Sequence, residues 1–111
     1  MNQFFQQFDS SAIDAKLGTT YWSPIDIAQV GGWMLRAAAF KGEYHWHSHE
    51  HDEFFYVYSG TITIETEKGP IVLSQGQGAV VSRGERHKPS AQERAVVFMF
   101  DPVDVDLTGK K

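Results

Sequence analysis

From Ile25 onward, the chain reads as a series of short apolar segments, each ended by glycine, proline or serine. Even spacing of segments rich in Val, Ile, Phe, Tyr and Thr is typical of strands in an antiparallel sandwich or barrel. The predicted strands are 25–30, 33–40, 53–58, 61–65, 71–73, 79–81 and 94–100. Turns are predicted at Lys41-Gly42 and at 68–70, and Asp101-Pro102 ends the last strand. Because no long helical period appears among these segments, the chain is predicted to be all-β.

The predicted strand 53–58 has two unlike faces. Alternation places Glu53 with two apolar residues on one face and three aromatic residues on the other. If Glu53 lies on the interior face, its carboxylate is buried, and burial of an anion is costly unless a cation meets it. The aromatic face, with Phe98 and Phe100, is expected either to cover a second sheet or a partner subunit or to pack in the core.

Histidines are clustered just before this strand. Four of the five (His45, His47, His49 and His51) fall within seven residues, and His87 stands apart. Side chains two apart on a strand share a face, so His47 and His49 would project together, and an antiparallel barrel can bring His87 beside them. Inward imidazoles and a carboxylate are suitable ligands for a divalent metal. Two alternatives remain: a register that uses His45 with His47, and a hydrogen-bonded polar site without an ion.

Two motifs resemble those of the cupin superfamily. The run His47-x-His49-x3-Glu53-x6-Gly60, with Gly42 before it, is similar to the first motif. The second runs from Gly76 through 82–84 to His87. Fifteen residues (61–75) separate the motifs, as in small single-domain members. Ser82 stands where the family prefers proline and Ala91 where it prefers asparagine, but neither is a metal ligand.

The resemblance, which covers about residues 25–100, implies a cupin-type antiparallel β-barrel (double-stranded β-helix, jelly-roll) with a short N-terminal helix or arm. It implies one divalent metal ion, Fe, Mn, Ni or Zn, bound by His47, His49, Glu53 and His87. It also implies a small-molecule ligand and a homodimer. A metal-dependent enzyme is expected, with oxygenase chemistry ranked ahead of isomerase or lyase chemistry. The alternative is a non-catalytic module that binds or senses a small molecule or metal.

Further residues are candidates for catalysis or for the wall of the pocket. The catalytic residues are unknown, and Glu53, His45 and His51 are the candidates; the two histidines are expected beside the ligands or facing solvent. Arg36 is expected to be exposed and solvated. The pocket walls are expected to be apolar and to consist of Phe55, Val57, Ile62, Ile64 and Val81.

The ends of the chain differ in composition from its body. Residues 1–24 are predicted to form an arm or short helix, because Phe4, Phe5, Phe8, Ile13 and Leu17 need a surface to cover. Residues 25–102 form the predicted barrel, and 103–111 a flexible acidic tail.

Composition narrows the function classes. The net charge of −4, with scattered Lys and Arg, disfavours a nucleic-acid partner. The absence of cysteine excludes disulfides, thiolate metal sites and thiol nucleophiles. No apolar run is long enough to span a membrane. The N-terminal residues do not show the basic and then apolar pattern of an export leader, so a cytoplasmic location is expected.

Overall fold

The computed structural model describes residues 5–111, which contain one helix and seven strands. In chain order these are α1 (Ser10–Leu17), β1 (Ile25–Val30), β2 (Trp33–Glu43), β3 (Glu53–Ser59), β4 (Thr61–Thr66), β5 (Gly69–Ser74), β6 (Gly78–Val81) and β7 (His87–Pro102). Every strand pairing is antiparallel. The predicted cupin-type jelly-roll is confirmed, although the sheet is not strictly closed.

Strand β7 organises the sheet because its 16 residues contact three other strands. Its first part pairs with β4, where Thr66 faces His87, and its second part lies between β2 and β3. Strand β6 pairs with the start of β3, so that Glu53 faces Val81. Residues 82–86 then connect β6 to His87 at the start of β7. Pairing alone therefore brings Glu53 near His87.

The core follows from the alternation of apolar side chains along β3 and β4. In β3, Glu53, Phe55 and Val57 are buried, as predicted, while Phe54 and Tyr56 are exposed and Tyr58 is half-buried. These buried side chains meet those of β4, principally Phe55, Val57, Ile62 and Ile64, inside the barrel. Complete burial of such side chains contributes about 1.5–3 kcal/mol each.

Helix α1 packs on the outside of the sheet. The Asp9 carboxylate accepts a hydrogen bond from the Ser11 backbone N–H at its start, and Gly18, with φ of 54°, ends it. Ile13 and Leu17 are buried in a second cluster on the outer face, together with Ala37, Ala39, Val96 and Phe98.

Two boundaries differ most from those predicted; in addition, β5 begins at Gly69, inside the turn predicted at 68–70, and β7 extends through Pro102. The prediction of a turn at Lys41-Gly42 is wrong. Strand β2 continues to Glu43, and its register with β7 shifts between Phe40 and Gly42. A bulge needs a residue that adopts unusual backbone angles, and Gly42 has φ of 81°. Strand β7 begins seven residues before the predicted 94, because its first part pairs with β4 although few of its residues are apolar.

The N-terminal arm and the C-terminal tail both contact the sheet. The Phe8 ring lies 6.2 Å from the ring of Phe98, and residues 103–111 run back past the end of the barrel, where Lys110 pairs with Ser48. Phe4 lies outside the described residues. The division at 24 and 102 and the flexibility of the tail remain predictions.

The single helix within residues 5–111 lacks the length and apolar character needed to cross a bilayer.

Candidate metal centre

Four side chains converge at one end of the barrel: His47, His49, Glu53 and His87. One ligand atom from each lies within 4.8 Å of the others. All four residues are buried, with exposures of 3, 7, 6 and 1% respectively. The barrel therefore brings His87 to the histidine pair, as predicted.

A backbone bridge positions two of the imidazoles. His47 and His87 each donate a backbone N–H to the other's carbonyl, over 3.0 and 2.8 Å, and their ring centroids lie 4.3 Å apart. His47 and His49 are also neighbours, at 4.8 Å between centroids, but the segment joining β2 to β3 is not the continuous strand that was expected. It is held instead by single bridges to His87 and Lys110.

Hydrogen bonds orient the rings. The Nδ1 atoms of His47 and His87 lie 2.9 Å from the carbonyls of His45 and Glu85, which assigns the ring proton to Nδ1. The Nε2 atom of each ring is then the one that faces the centre and is placed to bind a metal. Carbonyl contacts that fix the tautomer in this way are typical of metal-binding histidines.

The donor set fits a divalent ion. The Glu53 Oε1 atom lies 3.3 Å from Nε2 of both His49 and His87. Ligands held about 2.1 Å from one ion and at right angles to each other are separated by roughly 3.0 Å, close to this spacing. The His49 Nε2 atom is buried, and its 3.3 Å contact with Glu53 lacks hydrogen-bond geometry, so the atom has no hydrogen bond within residues 5–111. A metal ion satisfies such an atom.

The protonation states also suit a metal. Burial lowers the pKa of His47 to about 4, so this ring is neutral at physiological pH. Burial alone would lower the pKa of His49, but the adjacent Glu53 carboxylate outweighs it and raises the pKa. Conversely, burial would raise the pKa of Glu53, but His49 and His87 outweigh it and lower the pKa. Without a metal, the cluster therefore combines a neutral His47 imidazole with a Glu53 carboxylate that lies beside His49 and His87.

Behind Glu53 lies a buried ion pair that the sequence analysis missed. Burial, with the charge of Glu53, raises the pKa of Asp101 to about 7. Arg36 lies 3.7 Å from Asp101, and it donates to the Asp26 carboxylate and to the carbonyls of Pro102 and Val103. The expectation that Arg36 is exposed is wrong: it is 5% exposed, because these four groups satisfy its guanidinium. The sequence contained one cue, a charged residue directly before three consecutive alanines in a predicted strand.

A cavity of about 90 Å³ adjoins the ligand cluster. His47 and Glu53 line it, and most of the remaining wall is apolar. Of the five predicted wall residues only Phe55 lines it; the other four pack in the core. The other large lining side chains are Trp22, Phe40, Tyr44, Met99 and Leu107. Trp22 and Leu107 come from segments outside the predicted barrel, which is why strand alternation could not find them.

The other candidate histidines do not join the cluster. The His45 Nε2 atom lies 2.9 Å from the carbonyl oxygen of Thr108, and the His51 Nδ1 atom lies 3.0 Å from that of Asp52. The four-residue cluster includes neither ring. Tyr44 is closer to the chemistry, because it lines the cavity and its ring stands perpendicular to that of His47 at 5.3 Å.

Comparisons with known proteins agree with this fold. The model of the family Cupin_2, described as Cupin domain, matches residues 33–101. The Bacillus subtilis (strain 168) protein YdbB is 33% identical over 72 residues, which are 63% of this chain and 64% of YdbB, less than two thirds of its length.

Solved structures give the same result. A cupin-2 domain containing protein from Shewanella frigidimarina NCIMB 400 is 29% identical, with a TM-score of 0.82, covering 86% of this chain and 93% of that one. Hydroquinone 1,2-dioxygenase PnpCD, in complex with Cd²⁺ and 4-hydroxybenzonitrile, is 13% identical, with a TM-score of 0.74, over 94% of this chain and 82% of that one. At that identity, the second likeness shows the fold alone.

Proposed function

Because this chain belongs to the Cupin_2 family of cupin domains, we propose that it is a metal-dependent enzyme acting on a small organic molecule. His47, His49, Glu53 and His87 would hold one divalent ion, Fe, Mn, Ni or Zn. The observation that carries the proposal is the position of the ligand cluster: it is buried, yet two of its members form part of the wall of an apolar cavity.

Four protein ligands do not fill an octahedral coordination sphere, so substrate or water can complete it. A bound ion supplies Lewis acidity and, if redox-active, a site for dioxygen. The protein contributes an apolar wall that excludes water from the site. Trp22 stacks on Phe40 and on Tyr44, with ring centroids 4.3 and 5.0 Å apart, and this aromatic wall would orient a flat or compact substrate beside the ligands.

The choice of reaction depends on which acids and bases line the cavity. Among residues 5–111, the titratable side chains in its wall are His47, Glu53 and Tyr44. Burial raises the pKa of Tyr44, so that its hydroxyl is protonated at neutral pH and can donate a proton but not accept one. With no free base, reactions driven by the metal are better supported than isomerisation or elimination. Oxygenase chemistry is therefore ranked first. PnpCD, a dioxygenase by name, shares the fold.

The same observation supports a second candidate, a module that binds a small molecule or metal without chemistry. Protein purified without a metal-affinity step would be analysed for metal and then reconstituted with Fe(II), Mn(II), Ni(II) or Zn(II). Oxygen consumption with a panel of phenols, diols and small acids tests the enzyme. Compounds that raise the melting temperature and are recovered unchanged, with no turnover by any metal form, would favour the module.

Metal affinity is expected to fall about tenfold for each pH unit on the acid side of neutrality. A proton and the metal compete for Nε2 of His49, and the raised pKa of this residue means that competition begins at a higher pH than for an ordinary histidine. His47, with its pKa of about 4, adds a second proton only in strong acid. Calorimetric titration between pH 5 and 8 measures the slope, and a flat profile would contradict metal binding through these imidazoles.

A homodimer is proposed from the outer face of the sheet. Trp33, Phe54 and Tyr56 are each more than a third exposed there, and Trp33 stacks on Phe100 at 5.7 Å. We expect light scattering to give a dimer mass for the native chain and a monomer mass for Phe54→Glu. A native monomer would contradict this proposal. The cytoplasmic location and the lack of nucleic-acid and membrane partners remain predictions.

A further inference from the structure

The segment 104–110 lies across the open end of the barrel, over the ligand cluster; we call it the strap. It leaves the sheet after β7, and Leu107 and Thr108 form part of the cavity wall. On its other side, the strap and the ligand-bearing connection border a cleft that also includes His49 and His51. The strap thus lies between the cavity and this cleft.

Contacts between the strap and the ligand-bearing connection are specific. Ser48 and Lys110 each donate a backbone N–H to the other's carbonyl over 2.7 Å. The His45 ring lies against the carbonyl of Thr108 at 2.9 Å. Within the strap, the Asp106 carboxylate accepts hydrogen bonds from the N–H and hydroxyl of Thr108, forming a local turn.

Gly109 is the point of closest approach. A Cβ atom at this position would overlap the Cδ2 atom of His47 and lie 3.0 Å from Cε1 of His49. Its φ of +77° is also unfavourable for residues with a side chain. Only a glycine allows the backbone to lie directly on the two imidazoles.

The strap is nevertheless weakly attached. None of its side chains belongs to either core cluster, and those of Asp104, Asp106, Thr108 and Lys110 are exposed. Segments with few buried contacts open at a small cost in free energy compared with global unfolding. The ligands beneath are at most 7% exposed, so an ion or substrate that enters through this end of the barrel needs such an opening.

We propose that the strap is a gate: ions and substrates reach the ligand cluster when residues 104–110 lift away, and Leu107 then closes the chamber over them. The substrate part of this inference rests on the proposed function. The gating itself concerns access to the imidazoles and can be tested without turnover.

A reversible lock provides the test. The chain has no cysteine, so Ser48→Cys/Lys110→Cys introduces a single disulfide. A mutually hydrogen-bonded antiparallel pair has Cα atoms about 5.5 Å apart, within the range of about 4.4–6.8 Å for disulfides. The matched control is Thr61→Cys/Ser74→Cys, a cross-strand pair whose native hydroxyl oxygens lie 3.2 Å apart on the hairpin of β4 and β5.

Two rates are measured before and after reduction: uptake of Co(II), followed by its visible absorbance, and modification of the metal-free imidazoles by diethyl pyrocarbonate. We expect the oxidised lock to slow both at least about tenfold, reduction to restore them, and the control pair to change neither. Equal rates in the oxidised and reduced lock would overturn the gate. Failure of the pair to oxidise would also overturn it, because Ser48 and Lys110 would not lie side by side.

The two proposals can fail separately. If no divalent ion binds to the native chain, the metal centre is wrong, while the modification rates still decide the gate. Gly109→Ala tests the gate in the opposite direction, because it should lift the strap and speed both uptake and modification. Gly76→Ala is its control, since Gly76 has a similar φ of +83° but no atom within 4 Å of an added Cβ. Equal behaviour of the two alanine variants would contradict the gate.

Discussion

Replacing His49 with alanine is expected to weaken divalent-metal binding by at least about a hundredfold and to abolish stoichiometric loading at micromolar protein. A structural four-ligand metal site supplies roughly 10–16 kcal/mol, so loss of one ligand removes about 3 kcal/mol. Among residues 5–111, His49 is the proposed ligand whose Nε2 atom is buried and makes no hydrogen bond. Metal content after desalting, and affinity by competition with a chelator, measure the loss.

His51→Ala is the matched control. It removes an imidazole from the same connection, two residues away and 4.9 Å between ring centroids, but this ring lies outside the ligand cluster. The His51 variant is expected to retain full metal content, and both variants to retain the circular dichroism spectrum of the native chain. Equal losses from the two variants would mean that the assigned register of the ligands is wrong.

Arg36→Met is expected to lower the free energy of unfolding by about 3–5 kcal/mol, the usual cost of removing one partner from a buried ion pair. Asp101, 1% exposed, would lose the cation nearest to it while remaining beside Glu53. The carbonyls of Pro102 and Val103 would lose their donors as well. Urea denaturation of the metal-free protein measures the change.

The loss should depend on pH. The pKa of Asp101 is already raised by burial and by Glu53, and removal of Arg36 raises it further. A carboxyl whose pKa is raised in the folded state destabilises that state as pH rises through the folded pKa, so the loss should be greater at pH 8 than at pH 5.

Asp101→Asn in the Arg36→Met background should recover part of the stability. Lys68→Met, on the exposed pair with Glu85, should leave stability unchanged. A loss for Arg36→Met below about 1 kcal/mol at pH 8 would contradict the assigned role of this pair.

Local pattern was enough to predict much of the fold. Strand β1 has the predicted bounds, and the alternation of β3 predicted which of its side chains are buried, because both properties depend on the two-residue period of a strand. The candidate ligands were found for a related reason. A carboxylate on a buried face, preceded by closely spaced imidazoles, is costly unless something binds it, and the motif resemblance identified His87.

Other features depend on residues that are far apart in sequence. Asp101 reaches Glu53 because the end of β7 pairs with the start of β3. Arg36 is buried because carbonyls 66 and 67 residues away accept its hydrogen bonds. The gating position of Gly109 depends on a turn that returns the strap to His47, which no periodicity in the strap itself predicts.

The sequence by itself determined the strand pattern, the inward face of β3 and the set of residues able to bind a metal, since each follows from side-chain chemistry and from spacing over a few positions. Only the tertiary structure decided which imidazoles and carboxylates meet, which groups share the protons, and what closes the cavity. Those outcomes arise when strands pair in a particular register and bury distant charges together, and the free energy of each charged group depends on the neighbours that it then acquires.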